Sequence, residues 1–256
     1  MLLAIHIISK NTFKEVIRDR VLYILLMFAL LLLGLSFAVG QLSYEEIFFL
    51  SVSLGLSSIH LCFCGLTIFI GASLFFREIE QKTIYTLLVR PIERWQYLVG
   101  KYLGLLGVLV VLLIGFMACF SLIQLLLNLP FKTTTFIPFL GILLEAIVLL
   151  AATFFFSSFC TPYVAIASSI SLFLVGHWIT NLETMVAKSQ SPFFVTVGNT
   201  IIYSFPNLGV LNWRDNALAE TMISSLDLRY SLLLCFAWSF VFFALSQLIF
   251  SRRNFE

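Results

Sequence analysis

FIPFLGILLEAIVLLAATFFFSSFCTPYVAIASSISLFLVGHWIT, residues 136–180, is apolar almost from end to end. The hydrocarbon core of a bilayer is about 30 Å thick, and roughly 20 helical residues cross it. This stretch is about twice as long as one crossing needs. Cys160, Thr161 and Pro162 stand in its middle. Proline removes a backbone donor and biases its predecessor away from the helical region. The stretch therefore reads as two spans, about 136–159 and 162–180, joined by a tight turn, and that reading sets the parity of the whole chain.

Working outward, four more stretches are long and apolar enough to cross: about 21–40, 47–76, 102–129 and 230–250. The 47–76 stretch exceeds one crossing and must tilt or extend beyond the membrane. Six spans put both termini and the loops after the second and fourth spans on one side. That side holds Lys10, Lys14, Arg18, Arg20, Arg77, Lys82, Arg90, Arg94, Lys101, Arg252 and Arg253, most of the 15 basic residues. Only Lys132, Lys188, Arg214 and Arg229 fall on the other. Lys and Arg accumulate in cytoplasmic loops, so both termini are expected in the cytoplasm.

Composition agrees with lipid as the solvent. Of the 256 residues, 61% are hydrophobic and 11% charged. Soluble domains carry roughly 45–50% apolar and about 25% charged residues. The expected fold is all-α: one polytopic transmembrane domain, 1–256, with six transmembrane helices. A net charge of +2 gives no reason to expect nucleic acid as a partner. The cysteines, Cys62, Cys64, Cys119, Cys160 and Cys235, lie in or beside apolar runs without CxxC spacing, and read as small membrane-compatible residues.

Two segments outside the spans have a pattern of their own. In residues 1–20, His6, Lys10, Lys14 and Arg18 recur every four residues and stack on one helical face. Ile5, Ile8, Phe13, Val16 and Ile17 supply apolar area elsewhere, as in an amphipathic helix lying at the membrane interface. Residues 181–229 include SPFFVTVGNTIIYSFPNLGVLNW (191–213), apolar but broken by Pro192, Gly198, Pro206 and Gly209. Irregular backbone cannot face lipid, so short helices packed on the bundle, or capping it from outside, are expected there.

Between the second and third spans runs REIEQKTIYTLLVRPIERWQYLVGKY, 77–102. It is too charged to cross a membrane and too apolar for a free loop. Ile84, Leu87 and Leu88 fit one helical face, which Ile92, Trp95 and Val99 continue, with Pro91 as an interruption. Charge toward water and an apolar stripe toward a partner is the pattern of a helix that docks in a groove.

This element resembles the cytoplasmic signature of type-2 ABC-transporter permeases. The matching positions are Glu78, Glu80, Thr83, Leu87, Leu88, Arg90, Pro91, Arg94, Gly100 and Lys101. The segment 11–20, the six-span layout and the long outer segment before the last span are similar to that family as well. Many members have glycine before the threonine, where this chain has Gln81 and Lys82. The resemblance implies a membrane subunit of an ABC exporter in the inner (plasma) membrane. Two copies would form the translocation path, and a separate ATPase, carrying ATP and Mg, would dock on a coupling helix within 77–101. The sequence contains no GxxxxGK[ST] phosphate loop, so the chain is not expected to be that ATPase, nor to hold a cofactor of its own.

Inside the spans, His60 and Cys64 of IHLCFCG (59–65) are four residues apart and share a helix face, while Cys62 points elsewhere. Two ligands can contribute to a soft-metal site only with a partner helix, and a hydrogen bond from His60 to a neighbouring helix is the plainer expectation. No metal ligand set is assigned, and no catalytic residue. Glu145 lies within GILLEAIVLL, where a carboxylate is expensive. With His60, it is a candidate for the substrate path, or else a structural hydrogen bond. Gln124 and Asn128 are weaker signals of the same kind. An intramembrane enzyme is disfavoured because no nucleophile and base fall at one depth. The alternatives are a secondary transporter or channel, or a membrane assembly protein that transports nothing. The topology is testable: reporter fusions at Glu256 and near Lys188 are expected to report opposite sides, and the same side for both would defeat the six-span reading.

Overall fold

A computed structural model describes residues 2–42, 47–80, 93–130, 132–219 and 221–252, without the side chains of Leu2, Val21, Leu42, Ile47, 75–80, Arg94, Ser251 and Arg252. Among the described residues the regular structure is helical. It comprises α1 (Leu2–Ile17), α2 (Arg20–Leu42), α3 (Ile47–Glu80), α4 (Arg94–Leu126), α5 (Ile137–Ser157), α6 (Pro162–Lys188), α7 (Pro192–Ser204), α8 (Arg214–Leu218) and α9 (Ser225–Arg252). Short 3-10 turns occupy Thr133–Thr135 and Leu208–Leu211. Among the described residues, six helices are long and apolar enough to cross a membrane: α2, α3, α4, α5, α6 and α9.

The turn at 158–161 forms as proline chemistry requires. Pro162 opens α6 at a position whose N–H would have no intrahelical partner, and Thr161 before it is extended. The amides of Ser158 and Cys160 close the end of α5 by donating to Phe154 and Phe156 carbonyls. At the end of α4, Asn128 takes a left-handed conformation, φ 53, and the Leu129 amide donates to the Gln124 carbonyl at 2.9 Å. Asparagine tolerates that conformation better than most residues and so stops the helix. Asn128 thus terminates the span and is not a polar group at depth, whereas Gln124 is buried within it.

The most enclosed span is α5, which touches α3, α4, α6 and α9. Its Ala146, Val148, Leu149, Ala151, Ala152 and Phe154 are fully buried. The small side chains let α9 approach closely enough for Cys235 Sγ and Ser246 Oγ to reach the Leu144 and Phe154 carbonyls, both at 3.3 Å. On the α4 side, Tyr102 Oη donates to the Ile147 carbonyl at 3.0 Å.

The described residues of 181–229 resolve into the end of α6, then α7, the Leu208–Leu211 turn, α8 and the start of α9. The pair formed by α7 and the 208–218 stretch bends by 51°. Leu208, Leu211 and Trp213 are buried against the bundle. Trp213 lies beside Gly141 of α5, and its indole N–H donates to the Val210 carbonyl at 3.0 Å.

Helix α1 lays its apolar side along the first half of α4, with Thr12 and Val16 buried and His6, Lys10, Lys14 and Arg18 exposed. Glycine makes the approach possible. A Cβ on Gly104 would stand 2.7 Å from both the Ser9 carbonyl oxygen and Thr12 Cβ, and one on Gly100 would stand 2.8 Å from Ile8 Cβ. Gly104→Leu should therefore force α1 off α4 and lower stability by about 1–3 kcal/mol. Gly115→Leu, at a position with nothing within 4 Å, should stay within about 0.5 kcal/mol of the parent. Thermal unfolding of the detergent-purified chain would separate the two.

Candidate functional site

Three spans bring their costliest polar side chains to one point. Glu145 comes from the first half of α5 and is fully buried. An unpaired carboxylate in an apolar interior is strongly unfavourable, so its partners must come from the protein. From α3, His60 Nε2 lies 2.7 Å from Glu145 Oε2. One turn further along α3, Cys64 Sγ lies 3.7 Å from Oε1, within reach of a weak thiol hydrogen bond. From α6, His177 Nδ1 lies 3.7 Å from Oε1, beyond hydrogen-bond length, and 3.2 Å from the Phe173 carbonyl. The His60 and His177 rings face each other with centroids 5.2 Å apart, and Phe173 stacks obliquely on His177 at 4.6 Å.

The helical repeat explains the convergence. A spacing of four residues superposes His60 and Cys64 on one face of α3, and that face meets α5 at Glu145. Cys62 falls elsewhere and packs among apolar side chains. The expected hydrogen bond from His60 to a neighbouring helix is thus present, and its acceptor is Glu145. His177 carries no sequence motif. Its only signal is a titratable ring inside an apolar span, the same signal that marks Glu145.

Around this cluster the environment changes quickly. Beyond it, Arg214 of α8 donates through Nη1 to Ser57 Oγ of α3 at 3.0 Å, and through Nε to Asn212 Oδ1 at 2.7 Å. This ties the 208–218 segment to α3 one turn before His60. On the other flank, a shallow groove of about 440 Å³ is bounded by Leu174, Val175, His177, Trp178 and Asn181 of α6. His60 and Glu145, proposed from sequence for a substrate path, face each other; His177 alone of the cluster borders that groove. Ligand atoms of His60, Cys64 and Glu145 all lie within 4.8 Å of one another, so one nitrogen, one sulfur and one oxygen donor converge.

Glu78 and Glu80 fall in the last turn of α3 and Arg94 in the first of α4, with side chains outside the described set. Thr83, Leu87, Leu88, Arg90 and Pro91 lie outside the described residues. Lys101 is buried, with Nζ 5.3 Å from the centre of the Tyr97 ring.

Six membrane-length helices among the described residues, packed around an interior polar cluster, define a multi-pass membrane protein. The family of ABC-2 family transporter proteins matches residues 6–255, and the chain belongs to it. It is a membrane permease subunit of an ABC transporter. A comparison with individually curated proteins finds no match.

The pairing of Glu145 with His60 predicts an asymmetric response to mutation. With a chelator present, Glu145→Ala should lower stability by about 3 kcal/mol, because it strands a buried imidazole. Glu145→Gln retains an acceptor and should cost less than half of that. A double-mutant cycle of Glu145→Ala with His60→Ala, read by thermal unfolding, should return a coupling energy of at least about 1 kcal/mol.

Proposed function

We propose that the chain is the permease of an ABC exporter, that two copies form the translocation path, and that a separate ATPase subunit drives them. The observation that carries this reading is the family match over nearly the whole chain, 6–255, including both flanks of the 77–101 element. ABC-2 permeases are membrane subunits whose family implies an ABC ATPase as partner. One chain supplies six membrane-length helices. A pair would supply twelve, enough to enclose a path between two halves, and a homodimer is the simplest such pair.

In this reading the ATPase docks on Thr83–Arg94, with Leu87 and Leu88 as its apolar anchors and Glu78, Glu80, Arg90 and Arg94 as the charged flank. The physical support is position. The element joins the ends of α3 and α4, two of the longest helices in the chain. The 158–161 turn between α5 and α6 is too short to reach a partner. Both termini and the docking element lie in the cytoplasm, as the distribution of basic residues suggests, and the membrane is the inner (plasma) membrane. Cargo passes on the side where His177 borders the α6 groove, with Glu145 and His60 behind it.

Truncating or charging a docked anchor costs about 2 kcal/mol or more of binding. Leu87→Asp and Leu88→Asp should therefore abolish ATPase capture while leaving the membrane fold intact. The measurement is pull-down of the ATPase from membranes, normalised to permease level. The wild-type complex should have the mass of two permeases and two ATPases. Undiminished capture by both variants would overturn this placement.

A further inference from the structure

We infer that His60, Cys64 and Glu145 form a binding site for a borderline divalent metal ion of the zinc class, which clamps α3 to α5 inside the bundle. This inference stands independently of what the permease carries.

The donor set selects the ion. A thiolate, an imidazole and a carboxylate are each ordinary zinc ligands, with bonds of about 2.3, 2.0–2.1 and 2.0–2.2 Å respectively. The carboxylate argues against a soft monovalent ion such as Cu(I), and the thiolate argues against calcium or magnesium, which take oxygen donors. Around a tetrahedral ion with those bond lengths, neighbouring ligand atoms sit about 3.4–3.6 Å apart. The Cys64–Glu145 separation of 3.7 Å is close to that. His60 Nε2 stands 2.7 Å from the other oxygen of the same carboxylate, Oε2, and metal binding requires that contact to open by less than 1 Å as the carboxylate turns. All three ligand atoms already lie within 4.8 Å of one another.

Charge makes the location feasible. A bare divalent cation in an apolar bundle would be prohibitively unfavourable. Two of these ligands become anions on binding: Glu145 as carboxylate and Cys64 as thiolate. Together with neutral His60 they cancel the ion's two positive charges, so the loaded site is neutral as a whole. Binding releases two protons to solvent, that of the Cys64 thiol and the one shared between His60 Nε2 and Glu145 Oε2; the imidazole keeps its other proton on Nδ1, while Nε2 turns from the carboxylate to the metal.

Two further features fit a metal centre. All three ligating side chains are nearly fully buried. Beside them, His177 Nε2 is a buried nitrogen with no hydrogen-bond partner among the described residues, while Nδ1 of the same ring sits near the Phe173 carbonyl. An Nδ1–H tautomer donating to that carbonyl leaves Nε2 with a free lone pair. His177 borders the α6 groove and packs its ring 5.2 Å from that of His60, which marks the groove side as the ion's way in.

The test uses the full chain purified in detergent, stripped with chelator and then titrated with Co²⁺ as a spectroscopic stand-in for Zn²⁺. Wild type should take up one metal per chain and show a thiolate-to-cobalt charge-transfer band with the visible bands of a tetrahedral centre. Zn²⁺ should displace the cobalt and raise Tm. Cys64→Ser should lose the charge-transfer band and the Tm rise, whereas Cys62→Ser, two residues away and outside the cluster, should keep both. Glu145→Gln should weaken affinity at least tenfold while keeping the band at saturating cobalt. Monodispersity on gel filtration establishes that each variant is folded; if Cys64→Ser fails there, His60→Gln takes its place, with loss of the tetrahedral bands as the reading. Absence of stoichiometric metal in wild type, or an unchanged cobalt spectrum in folded Cys64→Ser, would overturn the site.

Discussion

A carboxylate enclosed on every side by apolar helices has to be satisfied by the protein itself, and Glu145 is in that position. It lies on the most enclosed helix of the bundle, α5, which is covered by α3, α4, α6 and α9. Sliding or rotating α5 against α3 by one residue would part the carboxylate from His60 Nε2, at 2.7 Å, and leave both groups dry and unpaired. Apolar helices in lipid have little hydrophobic preference for one register over another. The polar contact supplies that preference. Around it, the alanines of α5 allow close approach, and hydroxyls and a thiol on α4 and α9 reach its backbone carbonyls.

A second set of contacts fastens the short elements. The 208–218 stretch is held at three points: Leu208 and Leu211 buried in the bundle, Trp213 beside Gly141, and Arg214 bonded to Ser57. Its broken apolar pattern follows from this. A segment that covers helix ends needs apolar side chains for the bundle and frequent breaks to follow an uneven surface.

The spans were legible because the hydrocarbon core imposes a length and a polarity that few other segments meet. The turn before Pro162 was legible because proline acts through its own covalent geometry. Reading Asn128 as a polar residue at depth failed, since asparagine also stops helices through a left-handed conformation, and sequence alone does not distinguish the two. The apolar face of α1 was visible, but its partner was not. Whether such a face lies on lipid or on α4 depends on Gly100 and Gly104, which are informative only once the two helices are known to be neighbours. Three of the four residues of the buried cluster could be read, from the four-residue spacing of His60 and Cys64 and the depth of Glu145. That the three meet is a property of helix packing, and His177 joined them without any local pattern.

The lengths of α3 and α4 carry a mechanical consequence. With 34 and 33 residues, each extends about 50 Å at 1.5 Å per residue. Lying wholly within a core of about 30 Å would require tilts above 50°, beyond the roughly 0–40° found for membrane helices. Both must stand proud of the hydrocarbon, like two stiff posts. Helices resist bending far more than loops do, so a push on the projecting ends of α3 and α4 is not absorbed by bending. It is delivered along α3 to the turn that carries His60 and along α4 to the surface on which α1 rests.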